Sequence, residues 1–323
     1  MQTFTTEVLL PGDDPRLAFL PEGPIATDRS GFSWVSIQHA AESQKGSLNL
    51  FDWQTKTNVH YELHGRPGFA FATDRPGNFV AGIERSLCLV NVYDGSVVPL
   101  SDEIDVGVEN TLINDGVAFE KGIVFGAKDL EFKTKKAGLY FWRYSDRQLI
   151  QLRDDQICSN GKVITGSGDQ WCLLDIDTPT QQVVRYQLNT ATGVLSEPET
   201  VLDFTQGDIF PDGMIATDDP GSSVIVAFYN PDAAEYGVAR QFCIATGVLE
   251  AQWQTIGAPR VTCPLLMPTS QGTKLVLTTA TEGMADEMYA EHPHSGSLFV
   301  GETNLGKVSL QAPIPIKKLG FEL

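Results

Sequence analysis

One plan recurs six times along this chain, and it leaves room for few folds. Residues 25–37 (IATDRSGFSWVSI), 69–83 (FAFATDRPGNFVAGI), 117–128 (VAFEKGIVFGAK), 163–176 (VITGSGDQWCLLDI), 214–228 (MIATDDPGSSVIVAF) and 265–279 (LLMPTSQGTKLVLTT) share it. Each holds a short apolar run, a polar turn with glycine, and a second run rich in β-branched and aromatic residues, which is the pattern of a hairpin. The turn glycines Gly31, Gly77, Gly122, Gly168, Gly221 and Gly272 stand 46, 45, 46, 53 and 51 residues apart. A third strand candidate follows each hairpin (GSLNLFDW, SLCLVNVYDG, GLYFWRYSD, QVVRYQLNTATG, VARQFCIATG, GSLFVGE), and a fourth usually comes after it, as in NVHYEL and LEAQWQTI. Helical periodicity is nearly absent. About four strands per unit at this period predict an all-β chain, a six-bladed β-propeller. No long polar linker divides it, so residues 1–323 read as a single domain, with QTFTTEVLL expected to complete the last blade.

Aligned on the hairpins, the residues just before each first strand fall in register. They are Glu22-Gly23-Pro24, Pro67-Gly68, Asn114-Asp115-Gly116, Asn160-Gly161, Asp212-Gly213 and Cys263-Pro264. Taken singly, Asn-Gly and Asp-Gly read as ordinary turns, because these residues tolerate positive φ. Taken together they suggest more. The first strand of a propeller blade is innermost, so its starting end is expected at the mouth of the central channel. Glu22, Asn114, Asn160 and Asp212 would then ring a central metal site. Two carboxylates in a low-dielectric funnel repel unless protons or a cation neutralise them. Oxygen donors suit one divalent ion, Ca²⁺ first, with Mg²⁺ or Mn²⁺ as alternatives; Zn²⁺ more often takes nitrogen or sulfur.

Charge narrows the partners. Lys plus Arg against Asp plus Glu is 23 against 41, a net charge of −18. That sign repels phosphate backbones and anionic lipid, so neither nucleic acid nor a membrane is expected as a partner. No apolar run reaches the length of a membrane span, and the N-terminal residues lack a signal-peptide pattern. The five cysteines are scattered, with no CxxC pair, which fits a reduced, cytoplasmic protein.

The strings PEGP (21–24), NDG (114–116), NG (160–161) and PDGM (211–214), in that order and about one unit apart, carry a resemblance. With GMADEMYAEHPHSGSLFV (283–300), they make the chain similar to the SMP-30/gluconolactonase/luciferin-regenerating-enzyme (LRE-like) family across essentially its whole length. The resemblance implies a six-bladed propeller with one divalent metal at the channel centre and hydrolysis of a sugar lactone, a small-molecule substrate. It places the metal ligands on Glu22, Asn160 and Asp212, a substrate contact on Asn114 with Asp115 beside it, and the catalytic base on Asp212. Asp115 is the fallback base. Departures from the family pattern are Leu112, where a basic residue is common, Lys162 after Asn160-Gly161 in place of leucine, Ile25-Ala26 after EGP, and TCPLLMP (262–268) at the sixth unit.

Competing readings are weaker. No GxSxG or HExxH string is present. TGSGDQ (165–170) is read as a hairpin turn, DIDTPT (175–180) and KTKK (133–136) as solvated segments, His292 and His294 as surface residues, His39 as an outside candidate for the site, and Trp34, Trp142 and Trp171 as core. The expected chemistry is metal-dependent hydrolysis of a cyclic ester, with the ion polarising the carbonyl and a carboxylate taking the proton of the attacking water. An organophosphate or other esterase on the same scaffold, and a non-catalytic binding platform, are the alternatives.

Overall fold

The computed structural model describes residues 1–26, 28–217 and 222–322. Thr27 and Gly221, in the first and fifth expected hairpins, lie outside the described residues, as do 218–220 and Leu323. Among the described residues the backbone forms six sheets of four or five strands. They fall into two compact units: residues 1–66 with 204–311, and residues 67–203 with 312–323. Each unit holds three sheets, and the chain is all-β, a six-bladed β-propeller as its repeats predict. Its helices are short, such as Pro15–Ala18 and Asp286–Glu291. Among the described residues no helix is long and apolar enough to cross a membrane.

The first unit contains sheets one, five and six. Sheet one runs Pro21–Ala26, Gly31–Ser36, Gly46–Asp52 and Thr57–Leu63. Sheet five runs Phe210–Ala216, Ser223–Tyr229, Tyr236–Cys243 and Leu249–Ile256, with Gln2–Thr5 added in parallel at its edge. Sheet six runs Val261–Thr269, Gly272–Thr279 and Leu298–Glu302, and Glu7–Leu10 supplies its outer strand. The leftover N-terminal segment thus completes the last sheet and also extends the fifth. Trp253, Leu275, Leu277 and Phe299 fill the space between sheets five and six. Phe32, Trp34, Phe51, Met267 and Val276 do the same between sheets six and one. Burying each such side chain contributes about 1.5–3 kcal/mol, and strands such as Gly31–Ser36 and Ser223–Tyr229 are buried along nearly their whole length because both faces are covered.

The second unit contains sheets two, three and four. Their first strands are Pro67–Ala72, Thr111–Phe119 and Ser159–Ser167. The hairpin partners are Asn78–Ile83, Gly122–Asp129 and Gln170–Asp177. Trp171 packs with Phe141, Leu173, Tyr186 and Leu188 between sheets three and four. Trp34, Trp142 and Trp171 are all buried.

One expectation about local structure is corrected. The first strands begin several residues earlier than the hairpin pattern suggests, so the Asn-Gly and Asp-Gly dipeptides lie inside strands and are not turns. In all six sheets the pairing of the first strand with the second slips at these dipeptides or their equivalents, between Glu22 and Ile25, Pro67 and Phe69, Ile113 and Gly116, Asn160 and Val163, Pro211 and Met214, and Val261 and Pro264. Each is a β-bulge. An extra residue on one strand bends it and re-aims its side chains. Sequence signals for a turn and for a bulge coincide, because both favour residues that accept unusual backbone angles. Only Gly23 and Gly161 among the bulge glycines take positive φ, at 51° and 22°.

Candidate functional site

The bulges do two things to the residues beside them. They hold Glu22, Asn114, Asn160 and Asp212 within strands while burying each of them, at 5% to 8% exposure. They also bring neighbouring first strands together. A Cβ on Gly68 would overlap the carbonyl oxygen of Asn114, and one on Gly213 would lie 2.7 Å from the Cα and Sγ of Cys263. Glycine at these positions is required by close approach.

In the first unit, Glu22 is the last paired residue before its bulge, and its Oε2 accepts the N–H of Gly23 at 3.0 Å. Its strand is tied to sheet six: the Thr262 hydroxyl donates to the Pro21 carbonyl at 2.6 Å. Thr262 and Thr278 share a hydroxyl bond of 2.7 Å, and Thr278 accepts the Cys263 N–H at 3.0 Å. Asp212 is the first residue of the bulge in sheet five, and Gly213 packs it against the bulge of sheet six.

In the second unit, Asn114 and Asn160 are in direct contact. The Nδ2 of Asn114 donates to the Oδ1 of Asn160 at 2.7 Å and to the Ser159 carbonyl at 3.1 Å. The Nδ2 of Asn160 donates to the Thr178 hydroxyl at 2.9 Å, which fixes the amide with Oδ1 as its acceptor end. The Cys158 sulfur accepts more weakly from both amides, at 3.7 and 3.5 Å. All the hydrogen bonds of the Asn114 side chain run through Nδ2, which leaves its Oδ1 to a ligand.

Beneath the two asparagines lies a buried charge cluster. The Lys162 ammonium sits 3.2 Å from Asp175 Oδ1 and donates to the Asn160 carbonyl at 3.0 Å; both side chains are essentially sealed, at 0% and 1% exposure. Burial outweighs the ammonium and pushes the Asp175 carboxyl up to about 6. Burial also raises the Asp115 carboxyl, opposed by Lys162 and by the Gly116 N–H that donates to it at 2.7 Å. Asp177 is raised by burial too, although it accepts the N–H groups of Ile157 and Cys158. DIDTPT is therefore not a solvated strand end. The signal was present: WCLLDID continues an apolar run that has no polar face, so its aspartates follow it into the interior. Lys162, a departure from the family pattern, is the counter-charge of Asp175, while Asp177 is held by the backbone N–H groups of Ile157 and Cys158.

The remaining candidates separate. His294 is exposed, but His292 is buried, contrary to the surface reading, and its Nε2 has no hydrogen-bond partner. It sits at the end of the short helix Asp286–Glu291, where its N–H bonds the Met288 carbonyl. His39 is half-buried, and burial lowers its imidazole pKa. TGSGDQ forms the tight turn of sheet four, with Gly168 at φ 60°.

The donor chemistry of the bulge residues fits a hard divalent cation. The first unit offers two buried carboxylates and the second two buried amides, each with oxygen donors, and the Cys158 sulfur is turned to the amide N–H groups. Among the described residues no group of three or more His, Cys, Asp and Glu side chains is spaced to hold a metal.

Comparison with known proteins agrees with the repeats. The sequence profile described as the SMP-30/Gluconolactonase/LRE-like region matches residues 20–281. A protein of Bacillus subtilis named "Putative sugar lactone lactonase YvrE" is 28% identical over 291 residues, covering 90% of this chain and 93% of its own. The solved structure of a calcium-binding protein, regucalcin, from Agrobacterium tumefaciens superposes with a TM-score of 0.78 at 18% identity, covering 97% of this chain and 99% of the other. A luciferin-regenerating enzyme superposes with a TM-score of 0.74 at 16% identity, covering 92% and 95%.

Proposed function

The chain belongs to the SMP-30/gluconolactonase/LRE-like family, and on that premise we propose that it is a divalent-metal-dependent hydrolase of a cyclic ester, a sugar lactone. The observation that carries the reading is the recurrence of one bulge in sheets one, three, four and five with a buried oxygen-donor side chain beside or within each. Glu22 and Asn160 immediately precede their bulges, and Asn114 and Asp212 open theirs. The sugar lactone lactonase name of the Bacillus relative supports the substrate class, and the calcium-binding name of the Agrobacterium protein supports Ca²⁺ as the ion.

Glu22, Asn160 and Asp212 supply the ligands. When bound, the ion polarises the ester carbonyl as a Lewis acid and balances the two carboxylates. The residues of the chain do the rest. Thr178 holds the Asn160 amide so that Oδ1 is its acceptor end. The Asn114 Oδ1 accepts a sugar hydroxyl and orients the ring. Asp212 takes a proton from the water that adds to the carbonyl carbon. The ring C–O bond then breaks, and that proton passes to the departing ring oxygen, giving the open hydroxy acid.

The test is acid release from a panel of aldonolactones by chelator-treated protein, with Ca²⁺, Mg²⁺, Mn²⁺ or Zn²⁺ restored singly. Hydrolysis that disappears on chelation and returns with one ion is expected, as is its loss in a folded Asp212→Ala variant. Hydrolysis unaffected by chelation, or a fully active Asp212→Ala protein, would overturn the mechanism. Silence toward every lactone with every ion would overturn the substrate class.

A further inference from the structure

We propose that Lys128 makes this site select lactones that carry a carboxylate, so that the preferred substrate is an anionic, uronate- or aldarate-type sugar lactone. The reaction rests on the reading above; the selectivity rests on Lys128.

Lys128 lies on the second strand of sheet three, paired with Leu112, two residues before Asn114, on the first. Across the gap to sheet four it bridges to Cys158, whose sulfur touches the amides of Asn114 and Asn160. Side chains alternate along a strand, so Lys128 shares a face with Gly126. A Cβ on Gly126 would overlap the Ser159 hydroxyl and lie 3.4 Å from the Lys162 ammonium, which places that face against the residues that flank Asn160.

The residue is only 5% exposed, yet its ammonium makes no hydrogen bond and no ion pair with the described residues. Its neighbour is the Phe132 ring, 5.8 Å away. Other lysines of this region are matched: Lys162 has Asp175, and Lys136 has Asp129. In a chain of net charge −18, a largely buried lysine without an anion is the exception. Buried charges are normally paired, and here the counter-charge is left for a solute. The stem is immobilised by packing while the ammonium is not sealed off, so little side-chain freedom remains to be lost on binding. The segment after Phe132 adds Lys133 and Lys135, and Lys135 acts electrostatically on Asp155 and Asp177. An anionic group would find its counter-charge in the Lys128 ammonium. A neutral sugar would make no use of it.

Lys128→Met keeps the packed stem and removes the charge, and Lys128→Arg keeps the charge. The first measurement is kcat/KM for a glucarolactone, which bears a carboxylate, against neutral gluconolactone. The expected result is a preference for the glucarolactone that Lys128→Met lowers by about tenfold to a hundredfold, the range of one hydrogen bond to a charged group. Gluconolactone turnover should hold, and Lys128→Arg should restore the preference. The second measurement is calorimetric binding of glucuronate against glucose, which needs no hydrolysis. Charge-dependent glucuronate binding with no lactone turnover would sink the lactonase reading and leave this inference standing. Equal losses on both lactones in Lys128→Met, or glucuronate binding indifferent to that change, would overturn the inference alone.

Discussion

The first strands of sheets four and six carry the same bulge, at Gly161-Lys162 and at Thr262-Cys263, and fill it in opposite ways. Sheet six closes its bulge in a neutral network that reaches into sheet one. Thr262 and Thr278 hydroxyls, the Cys263 N–H and the Pro21 carbonyl satisfy one another there. Sheet four fills its bulge with a charge pair, Lys162 on Asp175, and presents the Asn160 amide above it, held by Thr178 and Asn114. The bulge is therefore architecture, present in all six sheets, and the side chains set upon it decide which positions can bind. A neutral filling costs little and offers nothing to a ligand. A buried ion pair is expensive to desolvate, and its presence under Asn160 indicates a position whose geometry matters.

Removing the amide is the largest test. Asn160→Leu should reduce lactone hydrolysis by roughly a thousandfold, the scale of several kcal/mol of lost charge stabilisation, whereas Cys263→Ala in the equivalent bulge should leave it nearly unchanged. Steady-state rates with the effective ion check both; comparable losses would erase the distinction between the two sheets. Next is the ion pair. Lys162→Met strands a sealed carboxylate and should lower unfolding stability by about 3–5 kcal/mol at neutral pH, with the Lys162→Met/Asp175→Leu double variant recovering most of it. Urea midpoints report the difference. A double variant no better than the single one would mean that the lysine acts through packing alone.

The pH dependence of stability sharpens the same point. The Asp175 carboxyl is raised from its ordinary 3.8 to about 6 in the folded chain. Between those values the folded state holds a proton that the unfolded state has released, so stability falls as pH rises through that window and levels off above it. Asp175→Asn should flatten this segment of the stability–pH curve relative to wild type. An unchanged curve would assign the slope to other groups, Asp115 and Asp177 among them.

How much of this was legible in sequence follows from which signals are local. The six hairpins were legible because short apolar and β-branched runs and turn glycines are written into short segments, although the first strands begin several residues before those segments. The bulges were not, since Asn114-Asp115-Gly116 and Asp212-Gly213 carry the same residues a turn would carry, and only pairing with the next strand distinguishes them. The partner of Asp175, Lys162, stands on the neighbouring strand of the same hairpin, so only the pairing register shows that the two meet. Lys128 was hidden for a similar reason. On the chain it precedes a basic run that looked solvated; in the fold it is buried beside Cys158.

The smallest expected effect is also the one that could most change the comparison. Thr262→Val keeps the shape of the side chain and removes the donor to Pro21 and the partner of Thr278. One hydrogen bond of this kind is worth about 1 kcal/mol, and the orphaned Pro21 carbonyl can raise the loss to roughly 2. If sheet six is only architecture, the change should appear in the urea midpoint and leave the dissociation constant for the effective ion almost untouched. The Pro21 carbonyl, however, belongs to the residue preceding Glu22. A partner that orients a ligand from behind typically costs 10- to 100-fold in metal affinity when it is lost. An affinity loss of that size in Thr262→Val, measured by titration of the ion into chelator-treated protein, would show that sheet six positions Glu22. The neutral bulge would then be part of the support of the proposed site.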